Sequence, residues 1–124
     1  MATRAVYTFR DDYNQFHVYK HWDGYPEAAL EFIAKAQGYA WDLPRYEAAD
    51  FAAAFVVANK KPSGGDVYLT THWESHSDLA FRYLVEFKDG GLEVRTYEAD
   101  EANNYEYTKL LETVRLADYV KEAA

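Results

Sequence analysis

The stretch that most limits the possible folds is the pair of alternating runs Ala80–Lys88 and Leu92–Glu98 on either side of Asp89-Gly90-Gly91. Alternation of apolar and polar residues has the period of a strand, and glycines between two such runs mark a hairpin. Phe81, Tyr83, Val85, Phe87 and Val94 then share one face, because successive side chains point to opposite sides. Two registers are possible. With Gly90-Gly91 at the tip, Lys88 faces Glu93 and Glu86 faces Arg95; with Asp89-Gly90 at the tip, Glu86 faces Glu93. Opposite charges across strands stabilise by roughly 0.2–1 kcal/mol and like charges oppose pairing, so the first register is expected.

A second hairpin opens the chain. Thr3–Arg10 and Gln15–His21 alternate around the turn composition Asp11-Asp12-Tyr13-Asn14. A four-residue loop sets Phe9 opposite Phe16 and Tyr7 opposite Val18. Ala5, Tyr7, Phe9, Phe16 and Val18 then form the apolar face, with Arg4, Val6, Thr8, His17, Tyr19 and His21 on the other.

Between the hairpins the period changes. Pro26-Glu27 suits a helix start, since proline needs no amide partner there and the acid complements the positive end of the dipole. Leu30, Ile33, Ala34 and Gln37 follow at helical spacing, and Gly38 ends the helix. A second helix is expected from Pro44, with the stripe Ala48, Phe51, Ala52, Phe55 and Val56. Lys60–Gly65 is a loop and Asp66–Thr71 a strand, with Val67, Leu69 and Thr71 on one side. Trp73–Asp78 reads as a polar connection. Asn103 with Glu106 resembles a capping box, so a last helix is expected from about Asn104 towards Lys121 on the stripe Tyr107, Leu110, Leu111 and Val114. The expected fold is a single α+β domain in the order ββααβββα, an antiparallel sheet of about five strands with three helices. Two helices cover one face; the last covers an edge or serves self-association.

Composition narrows the function classes. The formal charge of −8 disfavours binding to a phosphate backbone, so no direct nucleic-acid contact is expected. It favours a basic partner or solubility. Aromatics are 18% of residues, including twelve tyrosines, more than so small a core can satisfy as buried hydroxyls, and surface tyrosines favour interfaces. The absence of cysteine removes disulfides, thiolate nucleophiles and Cys-ligated zinc. The start shows no apolar signal region, and the nearly uncharged run Phe51–Asn59 falls far short of the ~20 residues of a membrane span, so a cytoplasmic chain with no membrane contact is expected.

Four groups of residues invite chemistry. His17 and His21 share a strand face about 13 Å apart, too far for one metal. His72 and His76 can approach across a turn, with Asp23 or Asp78 as an oxygen ligand, but no recognised metal spacing occurs, and surface or hydrogen-bonded histidine explains them. No metal or cofactor is expected. Ser63, Ser75 and Ser77 lack a nucleophile-elbow context. The pairs His21–Asp23 and His76–Asp78 fit turn chemistry as well as acid–base work, so no catalytic residue is assigned. Pro62-Ser63-Gly64-Gly65 precedes a strand, whereas a phosphate loop precedes a helix. The acids Glu98, Asp100, Glu101 and Glu106, continued by Glu112 and Asp118, can engage a basic protein or can complement a helix start.

The string Val18-Tyr19-Lys20-His21-Trp22-Asp23-Gly24-Tyr25-Pro26-Glu27 resembles the Y-x-H-x-D-G-Y-P signature of small uncharacterised proteins of phages, prophages and their bacterial hosts. In that group the motif likewise follows a short strand and precedes a helix. Ser77-Asp78-Leu79-Ala80-Phe81-Arg82-Tyr83 is similar to the group's second recurring piece. The resemblance carries no assigned activity; it implies an accessory protein of phage or prophage type that binds host or defence proteins.

The string also has local reasons to exist. Asp23 can bond turn amides, Gly24 permits positive φ, and Trp22 and Tyr25 can clamp the turn to the sheet. The leading expectation is a binding protein that occupies a partner's surface, the partner being a basic host protein or a second copy. The alternative is a small-molecule or nucleotide binder, even an enzyme, with a pocket formed by Tyr19, His21, Trp22, Asp23 and Tyr25 and with Arg4 and Arg82 as anion anchors.

Overall fold

Residues 3–76, 79–100 and 106–123 are described by the computed structural model. In chain order the elements are β1 (Ala5–Arg10), β2 (Gln15–Lys20), α1 (Pro26–Gln37), α2 (Ala48–Asn59), β3 (Val67–Thr70), a short 3-10 turn (Trp73–Ser75), β4 (Phe81–Lys88), β5 (Gly91–Asp100), β6 (Glu106–Arg115) and α3 (Leu116–Ala123). The fold is α+β with three helices. Its sheet has six strands in the order β3-β2-β1-β4-β5-β6 and is mixed, correcting the expected antiparallel sheet of about five: β1 and β4 run parallel.

The first hairpin pairs as its alternation requires, Phe9 opposite Phe16 and Tyr7 opposite Val18. Asp11 organises its turn. One carboxylate oxygen accepts from the amides of Tyr13 and Asn14 at 2.8 and 2.7 Å, and the other accepts from the Ala48 amide at 2.8 Å. That last bond caps the first residue of α2 from 37 residues away, and α2 therefore begins at Ala48 rather than at Pro44.

α1 and α2 bury Ala29, Ile33, Ala36, Ala48, Phe51, Ala52 and Phe55 against Tyr7, Phe9, Val18, Tyr83, Val85 and Val94 of the sheet, and Leu116 of α3 joins the same cluster. Each large side chain buried there contributes roughly 1.5–3 kcal/mol. β1 is covered on both faces, as a strand with a parallel neighbour usually is. On the second face Val6 packs with Tyr19, Leu79 and Trp73, where the chain crosses from β3 at one edge to β4 beside β1.

Two further expectations are overturned. The second hairpin turns at Asp89-Gly90, so that Glu86 faces Glu93 and Phe87 faces Leu92. Both turn residues have positive φ (49° and 82°), as the two-residue turn matching strand twist demands. Residues 106–115 form β6 rather than helix, paired antiparallel with β5, and only residues 116–123 are helical. The supposed cap residue Asn103 and the start at Asn104 lie outside the described residues.

Candidate functional site

The segment after β2 is held to three strands. The His21 amide donates to the Asp66 carbonyl (2.9 Å) beside β3, and the Gly24 amide donates to the Thr3 carbonyl (2.8 Å) before β1. The Tyr83 hydroxyl of β4 donates to the Gly24 carbonyl. Asp23, not Gly24, carries the positive φ, at 57°. Gly24 is needed for closeness: a Cβ there would lie 2.7 Å from both the Ala5 Cβ and the Thr3 carbonyl oxygen. Among the described residues the Asp23 carboxylate makes no hydrogen bond to the turn amides. Trp22 and Tyr25 are each about half exposed, at 50% and 43%.

Tyr19, His21 and Trp22 do converge, on the sheet face opposite α1 and α2. The Tyr19 hydroxyl and His21 Nδ1 are 2.9 Å apart, and the Trp22 indole meets the His21 ring edge-on at 4.7 Å. Two partners escaped sequence reasoning. Tyr68 lies opposite Tyr19 in the β2–β3 ladder with its ring 4.8 Å away, and His76, from the β3–β4 crossing, stacks on Tyr19 at 4.7 Å and 17°. His76 Nε2 is fixed by the Thr70 hydroxyl at 3.0 Å. Pairing of β2 with β3 across two intervening helices is what assembles this set, and no local pattern announces it. The result is a contiguous aromatic and imidazole surface at one end of the sheet, with Trp22 and Tyr68 exposed on it.

His72 and His76 do not form a joint site: His72 Nδ1 is bonded to the Thr71 hydroxyl at 2.8 Å, while His76 packs on Tyr19. Asp78 lies outside the described residues. No group of three metal-ligating side chains occurs among those described.

Arg82 is on the same face but not at the turn. It pairs with Val6, which pairs in turn with Tyr19, so its backbone is two strands, about 10 Å, from that of Tyr19. Its guanidinium lies over the Trp73 ring at 4.4 Å. His17, hydrogen-bonded through Nδ1 to the Thr8 hydroxyl at 2.8 Å, has its pKa lowered by burial and then by the Arg82 charge. Arg4 is not a partner of the turn through its backbone: its carbonyl accepts the Ala80 amide at 2.8 Å where the chain enters β4.

Family models, curated proteins and solved structures give no match to this chain.

The acidic segment is part of a strand pair. Glu98 on β5 is bound by Lys109 of β6 at 2.8 Å, and Asp100 faces Glu106 in the ladder. Glu101 lies outside the described residues. An open cleft of about 430 Å³ sits between α1, β6 and α3, lined by Leu30, Glu112, Val114, Asp118 and Tyr119 among others; none of the turn residues lines it. No helix among the described residues is long and apolar enough to cross a membrane.

Proposed function

We propose that this chain is a binding protein of the phage- or prophage-associated kind, which occupies a partner protein's surface with the aromatic end of its sheet. One observation carries the reading: Trp22 and Tyr68 are about half exposed (50% and 42%) on a base of Tyr19, His21 and His76 whose rings are mutually fixed. Tyrosine and tryptophan dominate the energetics of interfaces, and rings ordered before binding lose little conformational entropy when they bind. The charge of −8 adds long-range attraction for a basic partner. Glu98 already has its cation in Lys109, so it acts in this reading as a source of field rather than as an anchor.

The test is retention of host-lysate proteins on the immobilised chain at low salt, beside a Trp22→Ala/Tyr68→Ala double variant. A retained protein is expected to be lost with the variant and to weaken as salt rises. Equal retention by both chains, or no retention by either, overturns the reading. The variant's circular dichroism should match that of the parent, since both side chains are exposed.

A further inference from the structure

We propose that β6 is a self-association edge, along which two copies of the chain pair antiparallel about a twofold axis and join their sheets. β6 ends the sheet on the side away from β3, and no described strand lies on its outer side. The two edges differ in kind: β3 has 4 residues and β6 has 10. A long edge strand presents a row of unpaired amides and carbonyls, a template for a further strand. At the middle of β6 stand two neighbouring leucines, Leu110 and Leu111, 49% and 42% exposed.

The sequence of the strand says which partner fits. Thr108-Lys109-Leu110-Leu111-Glu112-Thr113 reads alike in both directions, with a cation before the leucines and an anion at the mirror position. Antiparallel pairing about a twofold sets Lys109 of each copy opposite Glu112 of the other, and Leu110 opposite Leu111. Such a contact is isologous, so both ion pairs form together.

The bulge in β6 is what permits this register. Cross-strand partners point to the same side of a sheet, and a twofold normal to the sheet keeps each residue on its own side. In a regular strand residues 109 and 112 would point to opposite sides and could not meet. In β6, Lys109 pairs with Glu98 and Glu112 with Thr96, and these two residues of β5 share a side. Lys109 and Glu112 therefore share a side too, because Leu111 is an extra residue between them. Leu110 and Leu111 together oppose Tyr97 and meet their counterparts at the axis. Bulges and charges ordinarily discourage edge pairing; here they select a copy of the same strand.

The charges agree with this arrangement. Lys109 holds Glu98 at 2.8 Å with its side chain still 58% exposed. Glu112 is exposed and forms no ion pair among the described residues. In the joined sheet each Lys109 stands between Glu98 of its own chain and Glu112 of the other, so charge alternates along the row. The net charge of −8 opposes association at a distance, which leaves specificity to this local match. Tyr68 belongs to β3, the other edge, so the dimer keeps both aromatic ends free.

Sedimentation velocity of the full chain over a concentration series tests the proposal. Lys109→Glu alone and Glu112→Lys alone should each dimerise at least about tenfold more weakly than the parent, because the twofold repeats the like-charge contact. An equimolar mixture of the two single variants should recover the dimer, since each chain then meets opposite charge at both contacts. The Lys109→Glu/Glu112→Lys double variant should recover it alone. A parent that stays monomeric up to about 1 mM overturns the proposal. So does a dimer that the single reversals leave unchanged, which would put the contact on another face, and so do weakened single variants that neither the mixture nor the double variant rescues. The Trp22→Ala/Tyr68→Ala variant should dimerise like the parent, so this proposal and the aromatic-end reading can fail separately.

Discussion

Glu86 and Glu93 stand directly opposite each other across the β4–β5 ladder, and the Lys88 ammonium lies 3.6 Å from the first and 3.9 Å from the second. Two like charges in register oppose pairing. Here the repulsion is offset because each carboxylate also has its own guanidinium, Arg10 on β1 for Glu86 and Arg95 on β5 for Glu93. The turn can then settle the register, and Asp89-Gly90 is the dipeptide that enters positive φ at both positions at low cost.

Lys88→Met should remove the shared cation and lower stability by about 0.5–1 kcal/mol near neutral pH. Burial raises the Glu86 pKa, but the hydrogen bond and charge of Arg10, with Lys88 and Arg95, outweigh it and hold the group below its ordinary value. A carboxyl depressed on folding contributes stability above its unfolded pKa, and that contribution is lost as pH falls through the folded value. The gap between parent and Lys88→Met should therefore be widest near neutrality and narrow as pH falls through the depressed pKa of Glu86. Urea midpoints at about pH 7 and about pH 3 measure this; an equal gap at both would show that Lys88 acts by packing.

Asp11 joins the first turn to α2, and each of its oxygens has a separate task. Asp11→Ala should cost about 1–2 kcal/mol, the range for loss of a helix cap. Asp11→Asn should fall between, since a single amide oxygen can serve either the turn or Ala48. The bonds from Ala48, Tyr13 and Asn14 lower the Asp11 pKa, so its contribution is complete above the unfolded value of about 3.9 and disappears as pH falls through the depressed folded value. In acid the denaturation curve of the parent should approach that of Asp11→Asn, whose amide does not titrate, while Asp11→Ala stays below both.

The first hairpin was legible in the sequence because Phe9, Phe16, Tyr7 and Val18 leave its parity no alternative. β6 was not, and its irregularity explains why. Thr96 pairs with Glu112 but the next residue, Tyr97, pairs with Leu110, so Leu111 is an extra residue in the strand. A bulge interrupts the two-residue period, and what remains of Tyr107, Leu110, Leu111 and Val114 matches helical spacing. The parallel seam between β1 and β4 joins residues about 76 apart, such as Val6 and Arg82, and depends on the crossing through Trp73 and Leu79 covering Val6. At the site, Tyr19, His21 and Trp22 were recognisable as one cluster because strand and turn bring them together locally. Tyr68 and His76 complete it through tertiary pairing alone.

Gly24→Ala and Gly91→Ala meet crowding of different kinds. At Gly24 the new methyl would face the Ala5 Cβ and a backbone carbonyl, each at 2.7 Å, so β1 or the turn must move. A loss of about 1–3 kcal/mol is expected, as for other overpacked sites. At Gly91 the nearest atom is an Arg115 guanidinium nitrogen at 2.8 Å, the far end of a flexible side chain. That guanidinium donates to the Lys88 and Asp89 carbonyls, and its displacement should cost well under the Gly24 change. Thermal unfolding of the two variants under one buffer condition decides the order, which would be reversed if the Arg115 bonds mattered more than backbone fit.

Tyr7 and Tyr83 stack at 5.0 Å in the core, yet removal of their hydroxyls should have opposite effects. The Tyr83 hydroxyl donates to the Gly24 carbonyl and ties β4 to the turn, so Tyr83→Phe should lower stability by about 1 kcal/mol. The Tyr7 hydroxyl is buried with no hydrogen-bond partner among the described residues. Burial is also the leading reason that its pKa stands well above the ordinary value, so the group stays neutral and gains nothing from ionisation. Tyr7→Phe keeps the ring contacts with Phe55 and Tyr83 while removing an unsatisfied polar atom, and should raise stability by about 1 kcal/mol. Urea denaturation of both single variants and the double variant tests this. If Tyr7→Phe destabilises the protein, the hydroxyl has an acceptor in solution, and the Tyr7–Tyr83 pair would then be a polar anchor of the core rather than a purely packed one.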